Sequence, residues 1–371
     1  MRQIIVTREE RKRPSRRNVL QAIAGLGATT AAGIASPAVA QRRNITFTLP
    51  WAPEGPNLMS FVAKAKGYWS RNGLDVDIAR GTGSVTAAQA IGRGSFQFGL
   101  AAATAGLQQA ALGLPIAQIS CCAYDAFMGL VTLNNSGFAK PKDLEGKKLA
   151  STTTSGEYPF IPAFAEKAGL DLSKVEILQV DPNVRQRLLT EKQVAAISAF
   201  ASSVMPPFIQ NGFSPRVFLF SKVGLPLYGN TLFTQQPLLQ QDSALCGAIA
   251  QGLNEAIKFV LLQPEESLDI FFKINPEMAL ADGARAQTRL SLDFYRYSVA
   301  HEAAMKHGIG YAPLGDYKVM IDLVMKYVAP NGKRPDAEEI ISNKYAGDVT
   351  LTPAEWEGLK PSFTDVTNLV A

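Results

Sequence analysis

The sequence predicts an α/β protein: two units of strands and helices, followed by a largely helical C-terminal region. Three observations carry this prediction. Short strand-like runs separated by helical runs recur from Asn44 to Leu133. The same pattern restarts after Lys140. From Gln240 onward the apolar spacing is almost wholly that of helices.

Taken in order, Asn44–Leu49 alternates as a strand and Asn57–Lys66 reads as a helix, with Gly67 and Gly73 breaking the chain around Tyr68-Trp69. Asp75–Ile78 is a second strand. Gly83-Ser84-Val85 opens a helix, with Ser84 a candidate N-cap. Phe96–Leu100 is a third strand, Thr104–Leu112 a helix, and Ile116–Ser120 and Met128–Leu133 are further strands. Strand–helix–strand units at this spacing argue for a parallel sheet covered on both faces. In the second unit, Lys140–Leu149 is a turn and short helix leading into a strand, and Thr152–Gly156 is a hydroxyl-rich loop before a helix. Val175–Val180, Val194–Phe200 and Val217–Phe220 read as strands, with a helix at Asn183–Thr190. Glu265–Phe272, Ala284–Lys306 and Gly315–Tyr327 have the spacing of helices packed on a sheet.

The N-terminus reads as an export leader. Ser15-Arg16-Arg17-Asn18-Val19-Leu20 is a twin-arginine pattern, a weakly apolar Ala/Gly/Thr stretch follows, and Ala38-Val39-Ala40 is a small-x-small cleavage site. Residues 1–40 are therefore the expected twin-arginine signal peptide, and the mature chain begins at Gln41 in the periplasm. Its partners during export would be the twin-arginine translocase and signal peptidase. The leader holds seven basic and two acidic residues out of 37 Lys+Arg and 32 Asp+Glu, so the remainder is formally neutral. That balance, with no basic cluster after Arg43, argues against a nucleic-acid partner. No second apolar run reads as long enough to cross a bilayer. The mature length of about 330 residues favours two lobes over one core.

Few groups suit catalysis. His301 and His307 are six residues apart in one helical segment, which is not an i,i+4 metal pair. No nucleophile-elbow, zinc-protease or phosphate-loop pattern is present. Gly81-Thr82-Gly83 begins like a dinucleotide fingerprint but lacks the third glycine. Cys121, Cys122 and Cys246 form no disulfide framework and read as buried small hydrophobes, with a bridge from Cys246 to the adjacent pair left open. An exported chain of this kind reads as a binder rather than an enzyme, with no catalytic residue, metal or cofactor.

An ordered set of segments resembles a known family. Trp51-Ala52-Pro53, Phe61 to Trp69, Asn72-Gly73-Leu74-Asp75-Val76 and Gly81-Thr82-Gly83-Ser84 resemble the opening of one group of periplasmic binding proteins. That group includes thiamine-pyrimidine synthases and sulfonate, taurine and nitrate binding proteins. Pro141 to Lys148 is similar to its second-lobe entry, and Gly308-Ile309-Gly310 to its late helical region. The resemblance implies a type II two-lobed fold. Lobe one would be 44–129 plus 234–371, lobe two 134–227, and the hinge crossovers 130–133 and 228–233. It also implies a small-molecule ligand in the inter-lobe cleft, and a membrane permease with its cytoplasmic ATPase as partners.

The expected ligand-binding residues combine chemistry with family position. Helix starts offer free N–H groups to anions, which nominates Gly83, Ser84 and Val85 in lobe one and Thr153, Thr154 and Ser155 in lobe two. Trp51, at the end of the first strand, could stack on a flat ligand. Tyr158, Tyr228 and Asn230 sit near the lobe boundary, Asp125 could meet an amino group, and Thr104 follows the third strand. A sulfonate, nitrate or carboxylate anion and a thiamine pyrimidine precursor are both open, and no arginine lies in the nominated loops. A pyrimidine-synthase-like enzyme and a sensory module without a transporter are the alternatives. Two departures from the family matter: the first puts in doubt any contact that an acid there would support, and the second weighs against the synthase. Ala195 stands where an acid is common, and Glu54-Gly55-Pro56-Asn57 holds no histidine. Cys121-Cys122 is only a fragment of the synthase cysteine motif.

Overall fold

The first strand of the chain shows the alternation its sequence dictates. In β1 (Arg43–Thr48) Ile45 and Phe47 are buried while Asn44 and Thr46 face outward. The structure is a computed structural model that describes residues 42–370. The twin-arginine segment and the cleavage position after Ala40 lie outside the described residues.

Two five-stranded sheets follow. The first contains β1, β2 (Leu74–Ala79), β3 (Phe98–Ala102), β4 (Ile116–Cys121) and β10 (Asn230–Gln235), in the order β2-β1-β3-β10-β4. The second contains β5 (Met128–Leu133), β6 (Lys148–Ser151), β7 (Glu176–Gln179), β8 (Ala196–Phe200) and β9 (Pro215–Leu219), in the order β7-β6-β8-β5-β9. The α/β class with a helical C-terminal region is as expected. Each sheet is mixed rather than parallel-rich, however, with two parallel and two antiparallel pairings. The antiparallel pairings all involve β5 and β10, the strands that bring the chain into a new sheet. They arrive through short passages with no crossover helix to restore the parallel direction.

Those passages run through residues 122–127 and 220–229, which corrects the expected crossovers. Residues 130–133 lie inside β5, where Leu130 faces Ser198 on one side and Phe218 on the other. Residues 230–233 lie inside β10, where Leu232 faces Leu100 and Ser120. Part of the C-terminal region, expected in lobe one, packs on the second half. Phe294, Val366 and Val370 pack with Ala201, Met205 and Leu219 of the second half.

The main core joins the first sheet to the late helices. Trp69 is 1 % exposed, its ring lies 5.7 Å from that of Phe47, and its Nε1–H donates to the Ile249 carbonyl at 3.0 Å. Ile249 belongs to helix Ser243–Leu262, which is long and apolar enough to cross a membrane but is largely buried here as a core helix. The expected helix Ala284–Lys306 ends at Val299, and a second runs from Glu302 to His307. His301 forms the break, its extended backbone allowing Nδ1 to accept the Ala303 N–H at 3.2 Å. The three cysteines are free and buried.

Trp69→Ala should cost about 3–5 kcal/mol, the range for deleting a buried aromatic. Trp69→Phe should cost less, because it loses the Ile249 bond and keeps ring packing. Urea denaturation of both variants tests this order.

Candidate functional site

Beyond β1 the chain turns away from the sheet, and a network of amides holds that turn. Asn57 Nδ2 donates to the Ala52 carbonyl at 2.8 Å. Asn230 Nδ2, at the start of β10, donates to the Pro56 carbonyl at 3.0 Å and to Asn57 Oδ1 at 3.1 Å. Gly55 lets the turn lie on the backbone of helix Ala284–Val299, since a Cβ there would fall 2.3 Å from the Leu292 nitrogen. The turn carries Trp51 and Glu54 into the wall of a cavity between the two sheets.

The opposite wall is built on a buried ion pair. Glu157 is fully buried and Arg185 is 5 % exposed. Glu157 Oε1 accepts from Arg185 at 3.1 Å and from Ser198 Oγ at 3.1 Å, and its other oxygen accepts from Ser155 Oγ. Ser198 on β8 also bonds Ser151 on β6 at 2.6 Å. Arg185 opens the short helix Arg185–Thr190 and reaches the cavity, and its buried Nε–H has no hydrogen-bond partner among the described residues. Tyr295, on helix Ala284–Val299, lines the same cavity with a buried and equally unpartnered hydroxyl.

The cavity and its mouth span about 830 Å³ of non-protein space, open solvent included. Bonds from one half to the other flank it. Ser203 Oγ donates to Glu54 Oε1 at 2.7 Å, Thr154 Oγ1 donates to the Thr82 carbonyl at 3.0 Å, and the Val85 N–H donates to the Thr154 carbonyl at 3.2 Å. Gly83 permits this approach, because a Cβ at its φ of 151° would stand 2.1 Å from the Thr154 oxygen. Burial raises the Glu54 carboxyl to about 7, against the opposing pull of the Ser203 bond and the Arg185 charge. Burial also raises Asp125, opposed by the Phe127 N–H that its carboxylate accepts at 2.7 Å and by Ser221 and Lys222.

Six of the residues nominated from sequence line this cavity: Trp51, Gly83, Ser84, Asp125, Ser155 and Asn230. The other six lie elsewhere. Val85 spends its N–H on Thr154, so that helix start is already occupied by the second half. Thr154 is the partner in that contact, and Thr153 points to solvent. A 3₁₀ turn at Tyr158–Phe160 separates this loop from helix Ile161–Ala168, which removes the expected helix-start donors. Tyr158 packs on the core. Thr104 is buried within helix Ala103–Ala111. Tyr228 bonds Asp316 and stacks edge-on with Tyr124 and Tyr317 in the return passage. Ser84 caps no helix, because its hydroxyl accepts the Ala102 N–H at 3.2 Å. Glu54, Arg185 and Tyr295 escaped the sequence reading. The one signal was the acid at 54 on the turn that follows the first strand.

The family described as NMT1/THI5 like matches residues 57–267. The chain belongs to this family. Among its relatives, the formylaminopyrimidine-binding protein of Halalkalibacterium halodurans is 20% identical over 227 residues, 61% of this chain and 69% of that protein. A 4-amino-5-hydroxymethyl-2-methylpyrimidine phosphate synthase of Saccharomyces cerevisiae is 28% identical over 154 residues. That alignment covers 41% of this chain and 45% of the enzyme, so the chain spans less than half the enzyme's length. In fold, this NMT1/THI5-like chain superposes on the alkanesulfonate-binding protein of Xanthomonas axonopodis pv. citri bound to MOPS, with a TM-score of 0.62 at 14% identity. The match covers 82% of this chain and 99% of that one, and the shared architecture is the type II periplasmic binding protein fold.

Two outcomes follow from the buried charges. Arg185→Met strands Glu157 without its countercharge and should cost about 3–5 kcal/mol. Adding Glu157→Gln should recover part of that loss in urea denaturation. For Glu54, the folded chain holds a proton up to about pH 7 against an ordinary value of 4.5. The ionised carboxyl therefore costs stability above pH 7, and the cost disappears as the pH falls toward 4.5. Glu54→Gln should raise the melting temperature at pH 8 and change it little at pH 4.5.

Proposed function

We propose that this chain is the solute-binding component of an ATP-driven importer and captures a small organic ligand in the cavity between its two lobes. The observation that carries the reading is the cavity, walled by both sheets and lined by ionisable groups and by polar atoms that lack partners. Polar groups buried without partners are costly in a folded protein, and a ligand that pairs them gains accordingly. The family, the type II fold and the pyrimidine-binding relative support the same reading. With the leader it implies work in the periplasm, where a permease and its cytoplasmic ATPase would receive the loaded protein. Separation of the lobes would admit and release the ligand.

Trp51 offers a stacking face for a flat heterocycle, while Ser84 and Ser155 offer hydroxyls to a small anion. A second reading, a pyrimidine synthase, draws on the name of the yeast relatives. The ionisable lining of Glu54, Asp125 and Arg185 suits holding charge better than that chemistry. The Cys121 thiol, outside the lining, is pushed up to about 12 by burial, which leaves it unreactive.

Thermal-shift measurements on the chain from Gln41 test the binding reading, with a panel of sulfonates, nitrate, aromatic carboxylates and aminopyrimidines. A ligand at one hundred times its Kd adds about 2.7 kcal/mol, enough to raise the melting temperature by several degrees. A clear shift with one class is expected. No shift from any class, in protein freed of co-purified small molecules, would overturn it.

A further inference from the structure

The charges around the cavity do not balance. Glu54, Asp125 and Arg185 line it. Arg185 is already neutralised from behind by Glu157, which has no exposure of its own. Lys222 lies near Asp125 and offsets part of its charge. Among the described residues the direct hydrogen-bond partner of Glu54 is the Ser203 hydroxyl, at 2.7 Å, and the Arg185 charge acts on it as well. With the carboxyls ionised, the wall therefore carries excess negative charge, centred on Glu54. Two donors are left over, the Arg185 Nε–H and the Tyr295 O–H, both buried and without partners among the described residues. A bare anion would meet a guanidinium whose charge is already matched and a carboxylate of its own sign. A molecule complementary to this lining has a cationic end for Glu54 and an acceptor end for Arg185 and Tyr295.

We infer that the cavity takes a compact organic cation, a protonated nitrogen base that also carries a hydrogen-bond acceptor, with the nitrogen at Glu54 and the acceptor at Arg185 and Tyr295. The inference rests on the binding reading above and narrows it, since sulfonates, nitrate and carboxylates without a basic nitrogen fall outside the class.

Binding of this kind is linked to pH. Ser203 from helix Ala201–Gln210 and Arg185 from helix Arg185–Thr190, with Glu157 behind it, act on Glu54, while Tyr295 from helix Ala284–Val299 and Asp125 from the passage 122–127 share the cavity with it. Burial makes both Glu54 and Asp125 hold protons above their ordinary range. A bound cation requires the ionised carboxylate, so it displaces the Glu54 proton below about pH 7, and affinity falls as the pH drops.

Three probes of matched shape test the inference by calorimetry: 4-hydroxybenzylamine, 4-hydroxybenzyl alcohol and 4-hydroxybenzoate, which differ in charge at one end only. The amine should bind at least about tenfold more tightly than the other two at pH 8, and should weaken by about tenfold or more at pH 5.5. Glu54→Gln should abolish both the preference and the pH dependence, while its melting temperature without ligand stays equal or rises. Equal or tighter binding of the benzoate, an unchanged preference in Glu54→Gln, or no binding of any of the three would overturn the charge assignment. A shift from the sulfonate and carboxylate panel alongside such a result would leave the binding reading standing.

Discussion

The pair between Glu157 and Arg185 is the constraint on which the second wall of the cavity depends. A carboxylate with no solvent contact needs several donors, and this one has three, from Arg185, Ser155 and Ser198. Those donors come from a short helix, the loop after β6, and β8. The Ser151–Ser198 bond then ties β6 to β8 directly beneath the pair. Two apolar side chains of similar volume would serve stability as well or better. What the charges supply is a guanidinium fixed in place at the cavity wall, with its buried Nε–H unpartnered among the described residues.

The first wall reaches the same rigidity by neutral means. Asn57 and Asn230 share a bond and between them hold the carbonyls of Ala52 and Pro56. Asn230 opens β10, the strand that returns the chain from the second sheet. The turn that carries Trp51 and Glu54 is thereby fastened to the passage between the halves, and a change in that passage reaches the cavity wall through a single side chain.

Much of the fold was legible because strands such as Asn44–Leu49 and Met128–Leu133 announce themselves by alternation or by unbroken apolar runs. β10 was not legible. Asn230–Gln235 mixes polar and apolar residues without a clean period, because both of its faces are enclosed by β3, β4 and the helices rather than by core on one side and water on the other. The same contrast holds at the site. Residues at strand ends, such as Trp51, Gly83 and Ser84, sit where an α/β sheet generally opens its cleft. Arg185 lies two residues from Arg187 on a short polar helix that reads as solvated, and only its meeting with Glu157 draws it inward. Tyr295 reads as one aromatic among several on a core helix. Its role as part of the wall depends on the Gly55 contact that brings helix Ala284–Val299 against the turn.

The last helix, Thr364–Val370, sets Val366 and Val370 against Leu219, Met205 and Ala201 of the second half. The preceding helix, Pro353–Leu359, is anchored by buried Trp356 in the main core. The halves are therefore joined by more than the two backbone passages, since this tail adds side-chain packing to the bonds that flank the cavity. Two covalent passages alone would leave a simple axle. The tail adds a further attachment, so a rotation that parts the sheets would have to slide or peel it from one of them. The amplitude of such a rotation would be set in part by a few apolar contacts at the end of the chain, in a cluster whose Phe127 also lines the cavity.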